Sequence, residues 1–271
     1  MNADLLKVYF TRIGYAGTTA PTLQVLGELA AHHLRTIPFE GLDPLLGRGV
    51  DIAPPAIFAK LVGSRRGGYC FEQNSLFHDV LAALGFQVTP LAARVVWQQP
   101  ADGPTTARSH RLTRIDIAGE TFLADVGFGG QSPSAPLRLA ERAPQHTPHG
   151  IYRIAEHASG FELQIETRDG FAGMYRFTLE PQSPADYEMG NWFTSTYPHG
   201  RFTQNLVVAI IGEAGRWTLL NRQLALRRLD GTVEEREVAS ADELEGLLRN
   251  TFRINPPADA QTIWNKLPPV G

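Results

Sequence analysis

Hydrophobic and polar positions along the chain change rhythm twice. Residues 4–12 are a short amphipathic stretch, and residues 22–35 place Leu23, Leu26, Leu29, Ala30 and Leu34 near helical spacing, which predicts two helices. Pro38 ends the second, because proline disfavours helical geometry in the residue before it. His32 and His33 are expected on its polar face. A third helix is expected over 55–62. After the basic loop Gly63-Ser64-Arg65-Arg66-Gly67-Gly68, a fourth runs over 70–84, with Phe77, Val80, Leu81 and Leu84 on one face and Gly85 as its stop.

From about residue 86 the period shortens. Residues 88–97, 109–117, 121–126, 151–155, 161–167 and 174–179 read as strands separated by turn residues. Residues 129–150, with four prolines, read as one long loop. Successive strands without helices between them predict an antiparallel barrel or sandwich. The last third is mixed. Strands are expected over 206–211, 217–220 and 224–229, with a turn at Asp230-Gly231, and a helix opens at the capping box Ser240 to Glu243.

Composition narrows the class. The 271 residues are 43% hydrophobic and 20% charged, the balance of a folded globular protein. A formal net charge of −3 argues against a broadly basic nucleic-acid binder. No run approaches the ~18 apolar residues of a membrane span, so neither nucleic acid nor membrane is an expected partner and the cytoplasm is the expected location. A single cysteine, Cys70, excludes an internal disulfide and a multi-cysteine zinc site, and no metal is expected.

Cys70 stands where a glycine-rich loop enters a helix. First-turn N–H groups and the helix dipole stabilise a thiolate there, and Arg65 and Arg66 are expected to add positive charge. A buried core thiol is the competing reading. A nucleophile needs a base and an orienter. His78 lies about 12 Å along the same helix at 1.5 Å per residue, too far to take the thiol proton. His110 is better placed. If Ala118-Gly119 is a two-residue turn pairing Ile117 with Glu120, Leu112 falls opposite Asp125 and His110 lies diagonal to Asp125 on the same face. A three-residue turn would move Asp125 to the other face.

Arg66-Gly67-Gly68-Tyr69-Cys70-Phe71-Glu72-Gln73-Asn74, Ser109-His110 and Asp125-Val126-Gly127-Phe128-Gly129 together resemble the arylamine N-acetyltransferase family. Pro38-Phe39-Glu40-Gly41-Leu42 resembles its N-terminal signature, with Gly41 where the family often has Asn. Asn191 to Thr196, followed by Pro198, His199 and Phe202, is a further match. Read without the family, that stretch is a polar, aromatic loop between strands.

The resemblance implies an α+β multidomain fold. It has an N-terminal helical bundle (1–85), a central antiparallel β-barrel (86–204) and a C-terminal α/β lid (205–271), around a papain- or transglutaminase-like cysteine catalytic core. It implies Cys70 as acetyl acceptor, His110 as base and Asp125 as orienter. Phe39, Phe128 and Phe202 would wall the acceptor pocket. Trp97, Ser109, Gly129 and Gly130 would line the route for coenzyme A. The implied substrates are acetyl-coenzyme A and an arylamine or hydrazine. A cysteine hydrolase or transglutaminase-like enzyme, or a non-enzymatic binding module, are the alternatives.

Overall fold

The computed structural model describes residues 1–100, 103–158 and 160–268. Helix Ala3–Ile13 starts where the Asn2 side chain accepts the Leu5 N–H at 3.0 Å and ends at Gly14, whose φ of 66° reverses the chain. Helix Leu23–Thr36 is capped by Thr22. These two pack on helix Cys70–Ala83 through Tyr9, Leu26, Leu29, Phe77, Val80 and Leu81. The same core takes in Ile115 and Val126, so the helices and the sheet share one interior.

Phe39–Glu40 forms β1. The strands β2 (Gln87–Val95), β3 (Arg108–Ile117), β4 (Glu120–Ala124), β5 (Leu137–Arg138), β6 (Gln145–Thr147), β7 (Gly150–His157), β8 (Gly160–Thr167) and β9 (Gly170–Phe177) follow. Strands β2 to β9 make one antiparallel sheet in the order β5-β4-β3-β2-β9-β8-β7-β6. Its two edges are bridged by one side chain. The Gln145 amide accepts the Arg138 N–H at 2.8 Å and donates to the Arg138 carbonyl at 3.0 Å. The sheet is therefore a nearly closed barrel, filled by Leu91, Leu112, Leu123, Ile154, Leu163 and Met174. Closure falls inside the stretch 129–150 expected as one loop, which holds the turn Gly129–Gln131 and the short strands β5 and β6.

A second antiparallel sheet contains β10 (Val207–Gly212), β11 (Gly215–Leu220), β12 (Gln223–Arg227) and β13 (Val233–Glu237), with β1 paired to β10 at its other edge. Sequence reasoning missed β13 because Glu234, Glu235, Arg236 and Glu237 are all exposed; charge on an edge strand blocks further pairing.

Two expectations are corrected. Residues 191–196 are not a loop but the end of helix Pro184–Thr196. Ser183 and Asp186 cap it reciprocally, with Pro184 in the first turn. His33 is not on a polar face. It is fully buried, bonded through one ring nitrogen to the Tyr9 hydroxyl at 2.9 Å and through the other to Gln73 Oε1 at 2.6 Å. Gln73 in turn donates to the Pro38 carbonyl at 2.7 Å, so this chain of bonds ties the second helix to the loop before Cys70.

Candidate active site

Cys70 is the first residue of its helix and is buried. The turn that delivers it has no room for side chains. A Cβ on Gly67 would lie 2.1 Å from the Pro38 carbonyl oxygen, and one on Gly68 would lie 2.7 Å from the Glu72 carboxylate. Opposite, a Cβ on Gly127 would lie 2.9 Å from the Cys70 Cα. These three glycines let three backbones converge on the thiol.

The β3–β4 hairpin brings the other groups. Ile117 pairs with Glu120 across Ala118 and Gly119, whose φ values of 51° and 82° are those of a two-residue primed turn. That register places His110 Nε2 2.7 Å from Asp125 Oδ2, with both residues 2% exposed. Asp125 Oδ1 also accepts from Asn74 Nδ2 and from the Gly127 N–H, each at 2.9 Å. Asn74 itself accepts the Val126 N–H at 3.0 Å, so one amide on the Cys70 helix locks the strand end. The thiol contacts the Ser109 carbonyl at 3.5 Å.

Burial opposes charge on the imidazole, but the Asp125 carboxylate outweighs it, with a smaller contribution from Cys70, and holds His110 well above the usual histidine range. Burial likewise opposes ionisation of Asp125. The imidazolium, Asn74 and the Gly127 N–H outweigh it and hold its carboxyl below the ordinary range. The His110 ring is boxed by Phe128 at 5.1 Å, edge-on, and by Tyr175 at 4.8 Å.

The other flank of the loop is also charged. Arg66 donates to Glu40 at 2.8 Å and to Asp43 at 3.0 Å. Lys60 bridges Asp43 at 2.7 Å and Glu72 at 2.6 Å. Glu72 also accepts the Tyr69 N–H at 3.1 Å, which caps the Cys70 helix. The expectation that Arg65 and Arg66 add positive charge for the thiol is therefore corrected. Arg66 is committed to Glu40 and Asp43, and Arg65 is exposed.

The remaining sequence candidates divide. Phe39 and Phe202 pack together at 5.8 Å, and Phe202 meets Tyr69 edge-on at 5.5 Å, within the aromatic group that buries Cys70. Gly129, with φ of 73°, lies beneath the Phe39 ring. Trp97 and Phe128 are partly buried and each packs on the barrel core. Gly130 packs against Thr218, and its carbonyl accepts from Arg216 at 2.5 Å. Arg216 also binds the Ser132 and His149 carbonyls and the Tyr152 hydroxyl, pinning the 129–150 stretch to the second sheet. Sequence reasoning also missed the roof over Tyr69: the Tyr69 hydroxyl donates to Asn191 Oδ1 on helix Pro184–Thr196. The capping signal at Ser183-Pro184-Ala185-Asp186 marked that helix. Among the described residues no three His, Cys, Asp or Glu side chains converge as metal ligands, and no helix is long and apolar enough to cross a membrane.

Comparison with known proteins gives concordant matches. A family model described as N-acetyltransferase matches residues 22–260. The arylamine N-acetyltransferase of Mycobacterium tuberculosis is 45% identical over 92% of this chain and 89% of its own length. The arylamine N-acetyltransferase / N-hydroxyarylamine O-acetyltransferase of Salmonella typhimurium is 38% identical over 93% of this chain and 89% of its own. The structure of Mycobacterium marinum arylamine N-acetyltransferase in complex with CoA superimposes with a TM-score of 0.92 at 39% identity, covering 96% of this chain and 97% of that one.

Proposed function

This chain belongs to the arylamine N-acetyltransferase family and is an enzyme, and from that premise we propose a double-displacement acetyl transfer through Cys70. The donor is acetyl-coenzyme A. The acceptor is the nitrogen of an arylamine, an arylhydrazine or an N-hydroxyarylamine.

In the first half, the Cys70 thiolate attacks the thioester carbonyl. Of the first-turn N–H groups of the Cys70 helix, that of Glu72 already donates to the Tyr69 carbonyl at 3.0 Å, which leaves those of Cys70 and Phe71 as the natural donors to the oxyanion. The tetrahedral intermediate collapses, the C–S bond to coenzyme A breaks, and the leaving thiolate takes a proton from the His110 imidazolium. One thioester replaces another, so no large driving force is needed. In the second half, a neutral amine attacks acetyl-Cys70. His110 accepts the amine proton, and the Cys70 thiolate leaves. Arylamines and arylhydrazines are unprotonated at pH 7 and keep their lone pair, whereas alkylamines are mostly protonated. Asp125 holds the imidazole in one orientation and favours its charged form. In this reading Phe39, Phe128 and Phe202 wall the acceptor site, and the sheet of β10 to β13 is the lid over a papain- or transglutaminase-like core.

The observation that carries the proposal is the 2.7 Å buried pair of His110 and Asp125 beside the chain's one thiol at a helix start. Steady-state kinetics with acetyl-coenzyme A and an arylamine test it. Parallel double-reciprocal lines are expected. Lines converging to a common point would mean that both substrates must be bound together, which contradicts an acetyl-enzyme. Rapid thioester hydrolysis without amine transfer would identify a cysteine hydrolase instead.

A further inference from the structure

Gly41 lies where β1 turns into the short helix Leu42–Leu45, and it is buried. Its φ of −118° is one that any residue adopts, so the backbone does not call for glycine here. The surroundings do. A Cβ on Gly41 would lie 2.8 Å from Cδ1 of the Phe202 ring, well inside the ~3.5–4.0 Å at which carbon atoms pack. The backbone at this point is pinned on both sides. The Gly41 N–H donates to the Val207 carbonyl at 3.1 Å, and its carbonyl accepts the Leu45 N–H at 3.3 Å. A side chain at residue 41 would therefore displace the ring and not the turn.

That ring borders the thiol's surroundings. Phe202 is partly buried, stands in the short helix Arg201–Gln204, and packs on the group formed by Phe39, Tyr69, Cys70 and Phe71. Its ring rests on three supports. Phe39 lies 5.8 Å away, Tyr69 meets it edge-on at 5.5 Å, and the third support is the bare backbone of Gly41. The first two are themselves held. A Cβ on Gly129 would lie 3.4 Å from the Phe39 ring, and the Tyr69 hydroxyl donates to Asn191. Filling the third support lifts the Phe202 ring off the 39–41 segment and into the space above the aromatic group. Gly41 is also the position at which the chain departs from the N-terminal signature it otherwise resembles.

We propose that Gly41 sets the size of acceptor this protein takes. Carrying no side chain, it lets Phe202 recede against the backbone and leaves room for a bulky, para-substituted arylamine. Gly41 is thus a positioning residue that acts through Phe202, and the proposal rests on the acceptor wall assigned above. The test is kcat/KM for aniline and for 4-phenoxyaniline, with acetyl-coenzyme A, in the wild type, Gly41→Ala, Phe202→Ala and the double variant. Gly41→Ala should lower the ratio of 4-phenoxyaniline to aniline about tenfold or more, the scale on which a pocket senses a methylene. In the Phe202→Ala background the same change at residue 41 should leave the ratio within about twofold, because the ring it displaces is gone. A structural defect slows both acceptors alike and does not move the ratio. A ratio that holds or rises in Gly41→Ala, or that falls equally in both backgrounds, overturns the proposal. If Gly41→Ala does not fold, a double variant that does fold shows that residue 41 and the ring compete for one space, as proposed. Failure of both shows that the glycine serves the turn, and the proposal falls. Acetylation of Cys70 in the wild type is measured alongside. Its absence defeats the acetyl-enzyme reading on its own, while the ratio still reports whether Gly41 sets acceptor size.

Discussion

Two charge clusters, one buried and one mostly buried, flank the first turn of the Cys70 helix, and they are built in opposite ways. His110 and Asp125 come from one hairpin and match one cation to one anion. The other cluster draws Glu40, Asp43, Lys60, Arg66 and Glu72 from separate segments and sets three carboxylates against two cations. The consequence shows in protonation. In the matched pair each partner favours the charged form of the other. In the unmatched cluster the cations stay charged, but burial pushes the Glu72 carboxyl up to about 7, with Lys60 opposing the rise and Glu40 adding to it. A matched pair keeps an imidazolium beside a thiol. A cluster short of one cation fixes backbone and carries a carboxyl, Glu72, whose charged form burial disfavours.

The largest effect should come from His110→Ala. The proposed base is lost and Asp125 is left buried without its cation, so acetyl loading should fall about 10²- to 10⁴-fold. Rapid-quench loading measures it, and a rate within tenfold of wild type would break the asymmetry between the clusters. Asp125→Asn keeps the size and loses the charge. Loading should fall, by less than the ~10⁴-fold of the comparable change in a serine triad, because a thiolate needs less help from a base. The variant should keep a near-normal Tm; normal loading in a folded variant would remove Asp125 from the mechanism. Arg66→Met should act on stability instead. It leaves Glu40 short of its cation and should cost about 3–5 kcal/mol, read as a fall of several °C in Tm. An unchanged Tm would show that the second cluster holds nothing in place.

The smallest effect is a difference in pH dependence. The matched pair contributes fully between the unfolded values of about 3.9 and 6.5. Its contribution is lost below, as Asp125 protonates, and above, as His110 gives up its proton. Glu72 has the opposite sign. Its folded value lies above the unfolded value of about 4.3, so its contribution is present in acid and is lost as pH rises toward 7. The Tm advantage of wild type over Glu72→Gln should therefore shrink between about pH 4.5 and pH 7. A widening gap would mean that ionised Glu72, paired with Lys60, is the stabilising form.

The same contrast explains what the sequence disclosed. The His110–Asp125 juxtaposition followed from one local fact, the two-residue turn at Ala118-Gly119, because register then sets every facing pair. The five-member cluster has no local rule, since residues 40, 43, 60, 66 and 72 meet only once the chain has folded. Helix Pro184–Thr196 was hidden by an inverted pattern. Its buried positions include Asn191, Thr194 and Ser195, whereas Met189 and Trp192 are 73% and 69% exposed. Hydrophobic periodicity points such a helix the wrong way, and only its capping box reports it. His33 misled for the related reason that a buried imidazole with both nitrogens bonded leaves no trace in polarity.

The account stands on a covalent acetyl group at one sulfur. Intact-protein mass spectrometry after mixing with acetyl-coenzyme A, without amine, tests this most directly. The prediction is one added acetyl group, none on Cys70→Ala, and its disappearance when an arylamine is added. Acetylated arylamine formed by a protein that never carries the group, even in rapid-quench samples, would contradict it.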